Sequence, residues 1–153
     1  ILCHGNICRS PLAEVLLEAA IAADPELAGR VSVSSAGTSD EHEGEGMHAE
    51  TARLLASRGL RNRHCARRLT IDLAAQQDLI LAADRWNLRE GKLIAAATEK
   101  SPTVRLIRDF DASALGRDLD DPWGKPTAAY ERAALEISSA IPGILKMLTS
   151  SIS

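Results

Sequence analysis

ILCHGNICRSPLAE, residues 1–14, carries a strand end into a helix through a short loop that contains glycine. Ile1-Leu2 reads as the close of a strand. Ser10 has the chemistry of a helix cap and Pro11 suits the first helical position, where a missing N–H costs nothing. From Ser10 onward Leu12, Val15, Leu16 and Ala19 recur at helical spacing, so a helix runs over SPLAEVLLEAAIAA.

Strand followed at once by helix is the repeating unit of a parallel sheet, and the rest of the chain continues it. VSVSSAG (31–37) is β-branched and ends in small residues, as a strand entering a loop does. MHAETARLLASRG (47–59) reads as a helix closed by Gly59. LTIDLAAQQ is a short helix capped by Thr70. DLILAA (78–83) is a continuous apolar run of the kind buried within a parallel sheet. DRWNLREGKL reads as a helix and VRLIRDF as a fourth strand. TAAYERAALEISSAIPGILKML is a long closing helix in which Pro142 would mark a kink. Strand and helix alternate without repeat, low-complexity tract or linker, which predicts one α/β domain over 1–153 with helices on both faces of the sheet. Sites in such folds lie at the carboxyl ends of the strands.

The 153 residues are 45% hydrophobic and 25% charged, enough for a single buried core. A net charge of −3 and 3% aromatic residues weigh against nucleic acid as a partner. No apolar run approaches the roughly 18 residues of a membrane span. Three cysteines form neither a disulfide framework nor a paired zinc-ligand spacing, so no metal or other cofactor is expected and a reducing, cytoplasmic setting fits best. The chain opens on Ile1 rather than methionine, which leaves export open.

The loop after the first strand is read as a cradle for an oxyanion. Gly5 and Asn6 tolerate positive φ, letting successive main-chain N–H groups of His4, Gly5, Asn6, Ile7, Cys8, Arg9 and Ser10 turn inward, and the helix adds its positive end. Arg9 supplies a planar fork for two phosphate oxygens. Cys3 would lie beneath the phosphorus, where these groups stabilise a negative sulfur and Ser10 could donate to it. A Walker-type loop would need Gly-Lys-Ser/Thr where this chain has Cys-Arg-Ser. Cys8 is open to two readings, a small buried residue or a partner that protects Cys3 as a disulfide; Cys65 is read as packing. A proton for a leaving oxygen calls for a carboxylic acid. DLDDPWGKP (118–126) offers three, of which Asp121 before Pro122 and Trp123 is best placed, the competing reading being a solvated acidic loop.

CHGNICRSP (3–11), SAGT (35–38), HCARRL (64–69), AADRWNL (82–88) and DPW (121–123) together resemble, in order and spacing, the low-molecular-weight protein tyrosine phosphatases. The resemblance covers nearly the whole chain. It implies a three-layer α/β/α, flavodoxin-like fold on a four-stranded parallel sheet, a phosphocysteine intermediate, no metal, phosphotyrosine-bearing proteins as substrates and inorganic phosphate as product. It also implies Cys3 as nucleophile, Arg9 as phosphate clamp, Ser10 as hydrogen-bond donor to the sulfur and Asp121 as general acid. Asn6, Ser35 and His64 resemble the family's buried polar network that supports the loop, and Asp84 and Asn87 match a motif read as structural.

Departures from the family pattern bear on the substrate slot formed by Glu41, His42 and Trp123. Glu41 stands where the family often has Trp, and Trp123 is followed by Gly124 where a second aromatic is frequent, so stacking surface is reduced. Asp-Pro-aromatic-Gly also occurs in protein arginine phosphatases, which resemble one another in having Thr at the position of Ile7; an apolar Ile7 leans towards an aryl phosphate. Glu41, Glu43 and Glu45 form either a solvated turn or a rim that disfavours acidic phosphopeptides. A thiol-dependent arsenate reductase on a related fold and a non-catalytic phosphate-binding module are the other classes, the first separated by thiol-coupled arsenate reduction, the second by binding without phosphate release.

Overall fold

The computed structural model describes residues 1–153. Four parallel strands form one sheet in the order β2-β1-β3-β4: β1 is Leu2–Cys3, β2 Ala36–Gly37, β3 Leu79–Ala82 and β4 Thr103–Leu106. Helices α1 (Arg9–Ala22), α2 (Ala49–Ser57), α3 (Ile71–Ala75) and α4 (Arg85–Ala96) connect them, and α5 (Thr127–Ile152) closes the chain. The expected three-layer α/β/α architecture with a four-stranded parallel sheet is what the chain adopts.

The pleat of β3 shows how the layers divide. Leu81 faces a large core with Leu12, Val15 and Leu16 of α1 and Ile137 and Ile144 of α5, whereas Ile80 faces a smaller one with Leu2, Leu69 and Ala74 beside α4. Each fully buried Leu or Ile contributes roughly 1.5–3 kcal/mol, so the α1/α5 side anchors the fold. From Arg9 to Leu17 every residue of α1 is buried, including Ser10 and Glu14. A stretch of helix enclosed in this way has no solvated face on which to place polar residues, so Arg9, Ser10 and Glu14 must find partners inside. Ser10 meets Cys3 and Asn6 in the loop below, Arg9 meets Asp84, and Glu14 meets Ser35 and Arg61. None of the helices is long and apolar enough to cross a membrane.

Several expected boundaries shift. Of VSVSSAG only Ala36–Gly37 is strand, because a strand exists by its partner and the neighbouring β1 is itself short: Leu2 pairs with Ala36 and Cys3 with Gly37. VRLIRDF is not one strand. Its ladder with β3 ends at Leu106, and Ile107–Phe110 tighten into a 3₁₀ turn tied down by the Gly116 N–H donating to Asp109 Oδ1 at 2.8 Å. Ser10 is not the cap of α1; Cys8 occupies that position without a side-chain bond, and Ser10 sits within the first turn. Thr70 does cap α3, accepting the Leu73 N–H at 3.1 Å. Pro142 lies inside α5 without ending it, and beside it Gly143 runs so close to the 3₁₀ turn that a Cβ would collide with the Phe110 carbonyl oxygen.

Candidate active site

The loop from Cys3 to Ser10 leaves the carboxyl end of β1 and enters α1, so it draws on both a strand end and a helix start. Asn6 takes a positive φ of 57°, a conformation that a short polar side chain tolerates better than most. That turn aims the Asn6 N–H at Cys3 Sγ, 3.3 Å away. Ser10 Oγ lies 3.0 Å from the same sulfur. The main-chain N–H groups of His4, Gly5, Ile7, Cys8 and Arg9 donate to no other part of the protein, which leaves a ring of donors around the sulfur for an oxyanion.

Asn6 is fully buried and its side chain is the hub beneath the loop. Its Nδ2 donates to Ser10 Oγ at 2.8 Å and to Ser35 Oγ at 2.9 Å, and its Oδ1 accepts the Arg67 N–H at 2.9 Å. His64 Nε2 donates to the Asn6 carbonyl at 2.6 Å. Ser35 in turn donates to Glu14 Oε1. These bonds hold Asn6 in its strained region from four directions, as expected where backbone strain is over-determined by its surroundings. Ser10, Asn6, Ser35 and His64, anticipated as loop supports, are thus brought together.

Gly37 is needed at this point for space. A Cβ there would lie 2.7 Å from the His4 carbonyl oxygen and 3.2 Å from the Asn6 nitrogen. The Gly37→Ala variant is therefore expected to lose about 1–3 kcal/mol of stability and to lower activity together with it, because the backbone that must yield is the loop itself. Thermal melting beside an activity assay checks this, and unchanged values for both would show that the contact relaxes freely.

Arg9 is buried, yet its guanidinium is not exhausted. Nη1 donates to Asp84 Oδ2 at 2.8 Å and to the Leu119 carbonyl at 2.9 Å. Nε and Nη2 remain for a ligand, and Nη2 is 3.9 Å from Asp121 Oδ2. Desolvation works against the Arg9 charge, but nearby Cys3, Asp84 and Asp121 outweigh it and raise its pKa. Asp84 was read from the sequence as structural. It does cap α4, accepting the Asn87 N–H at 2.8 Å, but it also holds Arg9. Its position at the end of β3, where α/β sites gather, was the available signal.

The three carboxylates of 118–126 separate by partner. Asp118 accepts the Arg85 N–H at 2.9 Å and Asp120 points to solvent, while Asp121 lines the cavity above Cys3. The Leu119 N–H donates to the Ala83 carbonyl at 2.8 Å, which anchors the acid loop beside β3. Asp121 Oδ1 accepts the Trp123 N–H at 3.1 Å, leaving Oδ2 turned towards Arg9. The cavity encloses about 140 Å³ between Cys3, His4, Gly5, Ile7, Cys8 and Arg9 below and Glu41, His42, Asp121 and Trp123 above. All the residues expected in the slot reach it. At the rim His4 Nε2 lies 3.6 Å from Glu41 and His42 Nδ1 pairs with Glu45 at 2.5 Å.

The remaining cysteines differ from Cys3. Cys8 is buried with Ile7, Ala66 and Tyr130, its sulfur 3.8 Å from the Tyr130 hydroxyl, and burial pushes its thiol up to about 12. Cys65, read as packing, is exposed instead; the chain at 61–68 runs along the surface, with Ala66 buried and His64 reaching in to the Asn6 carbonyl. Glu14, Arg67 and Tyr130 were missed. The signal for Glu14 was a lone carboxylate within the apolar run PLAEVLL.

Comparison with known proteins agrees over the length of the chain. A family model described as low molecular weight phosphotyrosine protein phosphatase matches residues 1–152. A low molecular weight protein-tyrosine-phosphatase of Streptomyces coelicolor is 36% identical over 146 residues, covering 94% of this chain and 88% of that one. Low molecular weight protein-tyrosine phosphatase A of Mycobacterium tuberculosis is 34% identical, covering 94% and 86%. Among solved structures, a low molecular weight protein tyrosine phosphatase from T. tengcongensis superposes with a TM-score of 0.81 at 28% identity, covering 95% of each chain. A Drosophila arginine phosphatase gives 0.85 at 27% identity, covering 96% of this chain and 94% of that one.

Proposed function

The chain belongs to the low molecular weight phosphotyrosine protein phosphatase family, and on that premise we propose that it hydrolyses phosphotyrosine in proteins through a phosphocysteine intermediate. The observation that carries the reading is the cavity itself: Cys3 Sγ at its floor, donors of the loop and Arg9 around it, and the Asp121 carboxyl across from it.

The loop amides, Nε and Nη2 of Arg9 bind the phosphate oxygens and spread their charge over fixed dipoles. Cys3 attacks phosphorus in line with the leaving oxygen, so an S–P bond forms as the P–O bond to the aryl group breaks. Asp121 gives its proton to the departing phenolate oxygen. Water then enters on the opposite side of phosphorus from sulfur, Asp121 takes its proton, and the S–P bond breaks to release inorganic phosphate and the cysteine thiolate.

The substrate side rests on Ile7 and Trp123. An apolar Ile7 in the cavity wall and an exposed indole at the mouth suit an aromatic ring, and neither offers a hydrogen-bond acceptor to a guanidinium. The test is phosphate release from matched phosphotyrosine, phosphoarginine and phosphoserine peptides. Phosphotyrosine is expected to lead in kcat/KM by about tenfold or more, equivalent to about 1.4 kcal/mol of transition-state preference. A lead for phosphoarginine would overturn the substrate assignment and leave the cysteine chemistry standing; no release from any of the three would overturn both.

A further inference from the structure

The hydrogen bonds under the loop make one continuous chain, and its direction can be worked out from what each group is able to donate. A carboxylate only accepts. Glu14 Oε2 accepts from Arg61 Nη2 at 2.6 Å and its Oε1 from the Ser35 hydroxyl, so Ser35 spends its single hydrogen on Glu14. Towards Asn6, Ser35 is left as an acceptor, and the Asn6 amide must present Nδ2 to it at 2.9 Å. The other Nδ2 hydrogen goes to Ser10 Oγ at 2.8 Å. Ser10, having accepted from Asn6, keeps its own hydrogen for Cys3 Sγ at 3.0 Å. At the middle of the chain the Arg67 N–H enforces the same amide orientation by donating to Asn6 Oδ1.

The outer end is a built ion pair. Glu14 is buried, whereas Arg61 is partly exposed and held in place by Nε to Glu18 at 2.7 Å and by Nη1 to the Arg63 carbonyl at 2.9 Å. Arg61 therefore decides which atoms Glu14 can present inward.

We propose, resting on the phosphatase reading above, that Glu14 is a positioning residue for the nucleophile: held by Arg61, its carboxylate acts through Ser35 and Asn6 to direct the Ser10 hydroxyl hydrogen at Cys3. Glu14→Gln replaces an acceptor by an amide. With Arg61 in place the amide oxygen faces the guanidinium and the NH2 faces Ser35, so the Ser35 hydroxyl loses the acceptor that fixed its hydrogen. The freed Ser35 hydrogen competes for the side facing Asn6 Nδ2, that bond weakens, and the amide that orients the Ser10 hydroxyl is held less firmly, so the hydrogen bond to the sulfur weakens. Removing Arg61 as well lets the glutamine oxygen turn inward and restores the direction.

Other charged groups around these residues stay constant across the variants. Arg9, Asp121, His4, His42 and Glu41 border the cavity, His64 meets the Asn6 carbonyl, and Arg67 Nε donates to the Ser35 carbonyl. The readout is the pH dependence of Cys3 alkylation by iodoacetamide, followed at the Cys3 peptide by mass spectrometry, beside turnover of p-nitrophenyl phosphate. In Glu14→Gln the pH of half-maximal alkylation should rise by about one unit, a tenfold change in the reactive fraction, as expected when a hydrogen bond to a charged group is lost. Glu14→Gln/Arg61→Met should return it most of the way. Ser35→Ala, which cuts the chain at its middle, should raise it likewise and serves if Glu14→Gln does not fold. An unchanged midpoint in Glu14→Gln or Ser35→Ala, or a double variant worse than the single one, would overturn the inference. If the wild-type protein releases no phosphate, the function fails while the alkylation profiles still decide the role of Glu14.

Discussion

Cys3→Ser is expected to lower turnover of p-nitrophenyl phosphate by about 10⁴-fold or more while leaving fold and oxyanion binding in place. The swap is close to isosteric and the site keeps its amides, Arg9 and Ser10. What disappears is the only nucleophile the site can use. A serine hydroxyl needs a base to take its proton, and none is placed to do so. Ser10 is filled by its bond from Asn6, and His64 spends Nε2 on the Asn6 carbonyl. Cys8 offers no replacement: its sulfur is packed beside Tyr130, and burial pushes its thiol up to about 12, far from the anion that attacks phosphorus. Vanadate or phosphate binding measured by calorimetry should survive within a few-fold, which separates loss of the nucleophile from loss of the cradle. Substantial turnover by the variant would show that another group forms the covalent bond, and the phosphocysteine mechanism would fall.

How far this site could be read before the fold was known depended on whether its chemistry lies in contiguous residues. CHGNICRSP carries its own geometry, because a strand end, a residue tolerant of positive φ and a helix start are local features. So Cys3, Asn6, Arg9 and Ser10 were legible, as was the alternation of strand and helix. Ser10 shows the limit. Its composition argued for a cap, yet α1 is buried from Arg9 to Leu17 and the hydroxyl serves the sulfur instead, a choice made by tertiary surroundings rather than by the local run. Asp84 and Glu14 were harder still. Each reaches the loop from a different element, and only the parallel register of β1 against β3, together with the enclosure of α1, brings their carboxylates to Arg9 and Ser35. The strand expected at 31–37 failed for a related reason: β-branched residues favour extended chain, but a ladder needs a neighbour of matching length.

Asp121→Ala should make activity depend steeply on the leaving group. With phenyl phosphate, whose departing oxygen needs a proton, a loss of roughly 10³-fold is expected; with a strongly electron-withdrawing nitrophenyl group, which leaves as an anion unaided, the loss should be about tenfold to a hundredfold. The geometry supports this division. Asp121 Oδ1 is fixed by the Trp123 N–H at 3.1 Å and Oδ2 faces the cavity, 3.9 Å from Arg9 Nη2, so the carboxyl sits above the bound phosphate rather than among its ligands. Its loss should therefore spare phosphate affinity, whereas loss of Arg9 would not. A plot of log kcat/KM against leaving-group pKa, flat for the wild type and sloping for Asp121→Ala, is the expected signature. Equal losses for all aryl phosphates would remove Asp121 from the proton transfer and turn attention to Asp118 or Asp120, although the first is bound to the start of α4 and the second points to solvent.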